Sequence, residues 1–300
     1  MRLCGVVNNS KAFSPAFLLD KAERSLNFVL IYFKVNCLLK LIHIKIEMEI
    51  VIIGTGNAAT VLGKMLKRAG HHIVQVFGRN RKAASELAYE LATESTNYWS
   101  VVYKNADLYI VAVSDIAIEE VVQEIRLTRS TIVHTAASIS KNVLHQSAEH
   151  YGVFYPLQSL LKDTAYLPNV PVIIDASDKE TLRQLENMAV TITNTVVEAS
   201  DEQRAKLHLA AVLCNNFVNH LYALTEKYCK EEVLDFNLLL PLIQETAMRL
   251  DAMPPSNAQT GPAVRRDENT INKHLQLLEK HPALQKLYYL LTESIQAQAL

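Results

Sequence analysis

Residues 48–59 read MEIVIIGTGNAA, so an unbroken apolar run meets two closely spaced glycines. The run is short, rich in β-branched residues and not alternating, which predicts a strand that is buried on both faces. Thr60 to Ala69 then shows a helical pattern that ends at Gly70. The local order predicted here is strand, tight turn and helix.

The turn follows a G-x-G-x-x-A pattern that is typical of dinucleotide-binding domains. Gly54 permits the sharp turn, Gly56 lets the backbone approach a pyrophosphate, and the small Ala59 lets the helix lie close to the strand. A second strand, His72 to Phe77, follows where the motif requires it. A chance glycine turn is the alternative. The residues expected to contact a dinucleotide are Gly54, Thr55, Gly56, Asn57, Ala58 and Ala59.

The end of the second strand indicates which dinucleotide is bound. Residues 77–81 read FGRNR and contain no acid. Enzymes selective for NAD usually place a carboxylate here, whereas those selective for NADP accommodate the extra phosphate with arginine. We therefore expect Arg79 and Asn80 to contact the cofactor and NADP to be preferred. The alternative is that Arg79 and Arg81 are solvated residues at the start of a helix.

The composition limits the class of protein. The chain has 300 residues, of which 49% are hydrophobic and 20% charged, with a formal net charge of −1. These values predict a soluble protein of about two domains, and they provide no electrostatic reason to expect nucleic acid or an anionic membrane as partner. The four cysteines show neither metal-ligand spacing nor a disulfide pattern. We expect a cytoplasmic protein without a bound metal.

Residues 1–47 differ from the remainder of the chain because they carry seven Lys or Arg against three acids. The apolar stretch Phe28 to Ile44 is interrupted by Lys34 and Lys40, which argues against a transmembrane helix. A membrane-associating helix, a structural extension and a start codon assigned too far upstream are the three interpretations. We favour the last, because Met48 stands where such a fold usually begins.

Strand and helix patterns alternate from Met48 to about Ala199, which predicts a doubly wound parallel Rossmann-type α/β sheet. From about Ser200 the alternation stops and only helical periodicity remains. We therefore expect a cofactor-binding domain over residues 48–199 and an all-α domain over residues 200–300.

Ligands of an open parallel sheet bind beyond the carboxyl ends of its strands. Three predicted loops reach that edge, and their polar residues are candidates for the site. An alternative is that Asp115 caps a helix and that the Ser and Thr residues are ordinary turn formers. Candidates for cofactor contact are Val113, Ser114, Asp115, His134 and Thr135. Candidates for substrate contact are Ser138 and Gln158.

The largely apolar segment Leu207 to Leu224 carries a stripe of polar residues. At about 100° per residue, Asn215 and Asn219 lie within about 20° of His208 on a helix. Buried polar side chains cost about 1–3 kcal/mol unless they are paired, and a substrate cleft would explain the stripe. We expect His208 to act as a general acid and Asn215 to face substrate. The alternative is a structural hydrogen-bond network inside the domain or at a dimer interface.

Residues 260–267 read TGPAVRRD and lie between two predicted helices. A Gly-Pro turn with two arginines could close over an anionic substrate or the cofactor. Asp267 is a plausible helix cap. The alternative is that this segment is merely a connection between helices.

The blocks GTGNAA, FGRN, AVSD, HTAAS, YPLQS, HLAAVLCNNF and TGPAVRRD together resemble a family of bacterial NADP-dependent oxidoreductases. Its members join a Rossmann-like domain to a C-terminal helical domain of unknown function. The resemblance covers Met48 to Leu300. More distantly, the chain is similar to pyrroline-5-carboxylate reductase, ketopantoate reductase and the 6-phosphogluconate and β-hydroxyacid dehydrogenases. Those relatives imply a homodimer built from the helical domain, with the active site between domains.

The chain departs from its distant relatives on the first helix of the helical domain. The β-hydroxyacid dehydrogenases and ketopantoate reductase have a catalytic lysine and an asparagine four residues apart, whereas Lys206 is followed four residues later by Ala210. The lysine mechanism is therefore not transferred. The family pattern instead implies catalytic roles for His208 and Asn216. It implies substrate contacts for Thr260, Gly261, Pro262, Arg265 and Asp267.

These observations predict an oxidoreductase that transfers hydride between NADP and a small oxo or imino compound. A different class of function is a non-catalytic NADP-binding dimer that senses redox state. A third is a membrane-associated protein that uses residues 1–47.

Overall fold

The computed structural model describes residues 47–163, 167 and 169–298. The predicted extension 1–47, apart from Glu47, therefore lies outside the described residues. The chain forms two compact units, and the second contains Leu157–Ser159 and the residues from Glu202 onward. None of the helices in the described part of the chain combines the length and the apolar character needed to span a bilayer.

The first unit contains one sheet in the order β3-β2-β1-β4-β5-β6-β7-β8. Its strands are β1 (Glu49–Ile53), β2 (His72–Phe77), β3 (Glu94–Thr96), β4 (Leu108–Val111), β5 (Thr131–His134), β6 (His150–Pro156), β7 (Val172–Ala176) and β8 (Val196–Glu198). Its helices are α1 (Asn57–Ala69), α2 (Arg81–Leu91), α3 (Ile118–Glu124) and α4 (Lys179–Ile192).

The predicted Rossmann-type α/β class, followed by a helical region, is confirmed. Strand β1 explains why helices cover both faces of the sheet. Its even-numbered residues, Ile50 and Ile52, pack in the core with α1, α2 and α4. Its odd-numbered residues, Val51 and Ile53, pack in the core with α3. All four side chains are at most 1% exposed, as expected of a central strand with a continuous apolar run.

One strand pair differs from the predicted parallel sheet. Strand β7 is antiparallel to β6, with Phe154 opposite Ile174, and the other neighbouring strands are parallel. An antiparallel neighbour can be joined without a crossover helix. The apolar run at 170–174 predicts a buried strand, but hydrophobicity does not encode the direction of the strand.

The order of the strands reverses between β2 and β4, which lie on opposite sides of β1. In open sheets this switch point opens a crevice at the carboxyl ends of the strands. The turn at Gly54 lies in that crevice. The amide of Gly54 donates to the carbonyl of Phe77 at 2.9 Å, and the amide of Ala112 donates to the carbonyl of Ile53 at 2.7 Å. The turn is therefore held between β2 and the end of β4.

The second unit is helical. Its helices are α5 (Asp201–Ala211, with Asp201 assigned to the first unit), α6 (Phe217–Glu231), α7 (Leu240–Met248), α8 (Pro255–Ala258), α9 (Glu268–Leu277) and α10 (Pro282–Gln298). A π-helical segment, Val212–Asn216, joins α5 to α6 without interruption. Such segments insert an extra residue in the helical turn and are frequent at functional sites.

Replacement of Gly54 by alanine tests the constraint on the turn. Gly54 has φ +127°, and an added Cβ would lie 2.1 Å from the carbonyl oxygen of Ala112. Because both the backbone conformation and the contact are prohibitive, Gly54→Ala should lower the free energy of unfolding by about 3 kcal/mol. Urea denaturation measures this loss. Gly56→Ala is the matched control, because a Cβ there meets no atom within 4 Å. Equal stability of the two variants would contradict the prediction.

Candidate functional site

A cavity of about 410 Å³ lies at the carboxyl ends of β1, β2 and β4. It is where the reversal of strand order predicts a ligand. Nine of the thirteen residues predicted to contact cofactor line it: Gly54, Thr55, Gly56, Asn57, Ala58, Arg79, Asn80, Val113 and Ser114. The motif-bearing loops thus converge on one cavity of the first unit.

The N-terminus of α1 provides the cavity with hydrogen-bond donors. Gly56 is the N-cap residue, and no side chain caps the helix or places an acid in its first turn. The first amides of a helix have no partners within the helix, and they carry the positive end of its dipole. An anion such as a pyrophosphate fits this position. The space above Gly56 is open, which is where a Cβ would obstruct such a group.

Arg79 and Asn80 follow β2 and have different roles. The Asn80 side chain accepts a hydrogen bond from the amide of Ala83 at 3.1 Å and so caps α2. The Arg79 side chain is exposed and lies on the cavity wall. Arg81 does not line the cavity. Of these two arginines, Arg79 is therefore the one that lines the cavity. Its contact with a cofactor phosphate stays a prediction.

A carboxylate lies beside Arg79, which the sequence reasoning missed. Nη1 of Arg79 is 2.9 Å from Oε2 of Glu120, and Glu120 also lines the cavity. No acid stands at the end of β2, but α3 supplies one from 41 positions further along the chain. Only the packing of α3 against the sheet reveals this neighbour, and no local sequence signal identifies it.

An aromatic wall completes the cavity and was also missed. The rings of Phe77 and Trp99 stack with centroids 3.7 Å apart and planes at 23°, and both residues line the cavity. An aromatic face suits a planar base. Phe77 ends the predicted second strand, so its position was foreseeable. Trp99 lies in a short 3₁₀ turn after β3, a segment for which the sequence predicted no site.

Four predicted cofactor residues do not line the cavity. Ala59 is fully buried, in line with its predicted role in close helix packing. His134 is also fully buried, and its Nδ1 accepts a hydrogen bond from the amide of Ala136 at 3.2 Å. Asp115 begins a short 3₁₀ helix, Asp115–Ala117, after β4, and Thr135 lies in the loop after β5. Cofactor contact by these residues stays a prediction.

The predicted substrate residue Ser138 lies in the loop after β5 and is exposed. Gln158 belongs to the second unit by contact, and its Oε1 accepts the amide of Ser159 at 2.9 Å. The Ser159 hydroxyl in turn accepts a hydrogen bond from Nδ2 of Asn215. The loop after β6 and the π-helical segment are thus joined through two polar side chains.

The π-helical segment changes the expected geometry of the polar stripe. It contains both Asn215 and Asn216, so the uniform rotation of 100° per residue from His208 is wrong across it. His208 lies one turn before the segment and is half-buried. The surrounding helix is also more exposed than the apolar sequence predicts, because Leu213 and Phe217 are 53% and 56% exposed. The premise of a helix that is buried within its own chain is therefore wrong.

Residues 260–267 form a turn whose last residue has a clear structural role. Gly261 has φ +112°. Oδ1 and Oδ2 of Asp267 accept hydrogen bonds from the amide and hydroxyl of Thr270 at 3.1 and 2.8 Å. These bonds from Thr270 lower the pKa of Asp267, and the nearby charge of Arg265 adds to the effect. Asp267 caps α9 as predicted, and Arg265 beside it is exposed.

Groups of three or more His, Cys, Asp or Glu side chains that could hold a metal ion do not occur among residues 47–163 and 169–298.

Thr260 and Pro262 lie in the same turn as Gly261. Whether these residues contact substrate stays a prediction.

Family models match both parts of the chain. Residues 49–138 match the model described as NADP oxidoreductase, coenzyme F420-dependent, and residues 170–295 match a domain of unknown function, DUF2520. A Bacteroides fragilis protein described as a "putative NADP oxidoreductase" is 44% identical, with a TM-score of 0.79, over 84% of this chain and 98% of that one. This chain belongs to that NADP oxidoreductase family. The predicted family and the predicted enzyme class are thereby confirmed.

Two more distant structures share the fold. A Thermotoga maritima protein is 22% identical, with a TM-score of 0.69, over 83% of this chain and 99% of that one. Pyrroline-5-carboxylate reductase from Streptococcus pyogenes is 15% identical, with a TM-score of 0.58, over 84% of this chain and 99% of that one. A comparison with curated proteins gave no significant match.

Replacement of Gly56 separates ligand binding from folding. A Cβ at this position meets no protein atom, so Gly56→Ala should leave the free energy of unfolding within about 1 kcal/mol of the parent value. The same methyl group would occupy the space in which a pyrophosphate approaches the backbone, so the Kd for NADPH should rise about tenfold. Calorimetric titration with NADPH measures the Kd. Unchanged affinity would contradict the assignment of this turn.

Proposed function

We propose that the protein transfers hydride between NADP and a small oxo or imino compound. The observation that carries this proposal is the cavity in which an uncapped helix N-terminus and Arg79 face the same space. A dinucleotide with an additional phosphate offers anions to both. Membership of an NADP oxidoreductase family supports the same cofactor. When bound, the nicotinamide supplies or accepts the hydride.

The chain's own groups bind the dinucleotide and move a proton. The amides of α1 bind the pyrophosphate, Arg79 binds the additional phosphate and the Trp99 face supports the base. His208 gives a proton to the carbonyl oxygen or imine nitrogen as hydride adds to carbon, and it takes the proton back in the reverse reaction. Each turnover then reduces one C=O or C=N bond and oxidises one NADPH.

The asparagines of the π-helical segment orient the substrate in this proposal. Asn215 is fixed by its hydrogen bond to Ser159, and Asn216 follows it in a widened helical turn. Amide side chains both donate and accept hydrogen bonds, so they suit a carbonyl or imine beside a hydroxyl or carboxylate. Arg265, beside the glycine turn at 261, supplies charge for an anionic substrate.

Replacement of His208 should remove the proton donor without weakening the binding of NADPH. His208→Ala is expected to lower kcat about 100-fold, because general acid catalysis contributes about that factor, while the Kd for NADPH stays within twofold. The assay follows NADPH absorbance across a panel of ketones, oxo acids and imines. His220→Ala is the control, because His220 is an exposed histidine of the same continuous helix. Full turnover by His208→Ala would remove this assignment.

The second candidate is an NADP-binding dimer that senses redox state. It predicts binding of NADPH without consumption of it by any member of the same panel. The exposed hydrophobic side chains of the helical unit, such as Leu209, Leu213 and Phe217, support the dimer that this function requires.

We also propose that the protein is a cytoplasmic homodimer formed through the helical unit. Of the described hydrophobic residues in that unit, only Cys229, Ala263, Ile271 and Leu278 are buried. Leu209 of α5, Leu213 of the π-helical segment and Phe217 at the start of α6 recur every four residues. Each of them is more than half exposed. A second copy of the same face would cover this stripe and bury it from water.

A charge in the stripe should separate the dimer. Leu209→Asp is expected to convert the protein to a monomer, because the dimer would have to bury an unpaired carboxylate. Light scattering after gel filtration measures the mass. Tyr89→Asp is the control, because Tyr89 is 88% exposed on α2 of the first unit and lies outside the stripe. A wild-type monomer, or a dimeric Leu209→Asp variant, would contradict the proposed interface.

A further inference from the structure

Arg79 does not face the cavity as an isolated cation. Its Nη1 lies 2.9 Å from Oε2 of Glu120, and both side chains line the same space. The pair is partly exposed, with 68% and 47% of the two side chains accessible to solvent. A ligand entering the cavity therefore meets a carboxylate together with the arginine.

The cavity contains both the type of side chain that selects NAD and the type that selects NADP. Enzymes selective for NAD bind the ribose hydroxyls with a carboxylate, and enzymes selective for NADP bind the additional phosphate with arginine. Here Arg79 follows the end of β2, Glu120 belongs to α3, and both line the cavity. We propose that Glu120 is a specificity-determining residue that restrains the preference of this site for NADPH over NADH. This inference rests on the proposed function of the cavity.

The preference for NADPH is restrained because the Glu120 carboxylate and the 2′-phosphate of NADPH compete for the guanidinium of Arg79. The 2′-phosphate of NADPH must displace the Glu120 carboxylate from Arg79, and it must then remain close to a like charge. NADH carries no phosphate there, and its 2′-hydroxyl can donate to the carboxylate while Arg79 stays paired. Glu120 therefore weakens the binding of NADPH and supports the binding of NADH.

The expected effect of Glu120 on NADPH affinity is modest because the Arg79–Glu120 pair is exposed. Exposed ion pairs are weak, so losing one changes a binding constant by a factor of up to about five. Removal of the negative charge in Glu120→Gln should therefore tighten NADPH binding about three- to fivefold. The same change should leave NADH binding unchanged or weaken it slightly, so the ratio of the two affinities rises.

The test is calorimetric titration of the full chain with NADPH and with NADH at fixed ionic strength. The variants are Glu120→Gln and the matched control Glu119→Gln, which removes the same charge from the neighbouring exposed position of α3 that does not line the cavity. Adenosine 2′,5′-bisphosphate and 5′-AMP are titrated as well, because they differ only in the phosphate at issue.

We expect the NADPH-to-NADH affinity ratio to rise at least threefold in Glu120→Gln and to stay at the parent value in Glu119→Gln. The gain in affinity of Glu120→Gln should appear with adenosine 2′,5′-bisphosphate and not with 5′-AMP. An unchanged or lower ratio, an equal rise in the control, or an equal gain with AMP would overturn the inference alone, provided that the parent protein binds NADPH. A parent protein that binds neither dinucleotide would overturn the proposed function and this inference with it.

Discussion

The contact between the turn at Gly54 and the end of β4 is the constraint on which the site depends. The backbone of Gly54 passes so close to the carbonyl of Ala112 that even a methyl group has no room. This approach brings the N-terminus of α1 to the carboxyl edge of the sheet. The helix amides, the end of β2 and the loop after β4 then face one space, and the chemistry of the cavity follows from that arrangement.

The parts of the fold that sequence predicts well are those in which one physical requirement dominates a short segment. A strand buried on both faces needs an apolar run, and Ile50 to Ile53 provide it. The turn needs glycine at a positive φ, and Gly54 provides it. The parallel direction predicted for β7 is wrong, because an apolar run does not encode direction. The short strands β3 and β8 were not predicted, because three-residue strands carry little periodicity.

The cavity residues also divide into those that local sequence motifs predict and those that only long-range packing brings to the cavity. Residues of the glycine turn and of the end of β2 were found from motif spacing, and most of them line one cavity. Glu120 and Trp99 were not found, since each reaches the cavity only through the packing of elements that are far apart in the chain. The π-helical segment was missed for another reason. A periodicity of 3.6 residues was assumed along the whole helix, and the extra residue in the turn at Val212–Asn216 breaks that assumption.

The stacked pair of Phe77 and Trp99 has a practical consequence. Trp99 is the only tryptophan in the 300-residue chain, and its ring lies on the cavity wall against Phe77. Tryptophan fluorescence of this protein therefore originates at the wall of this cavity. A change in that emission reports on one wall of one cavity, so the molecule contains its own optical probe of the surroundings of Trp99.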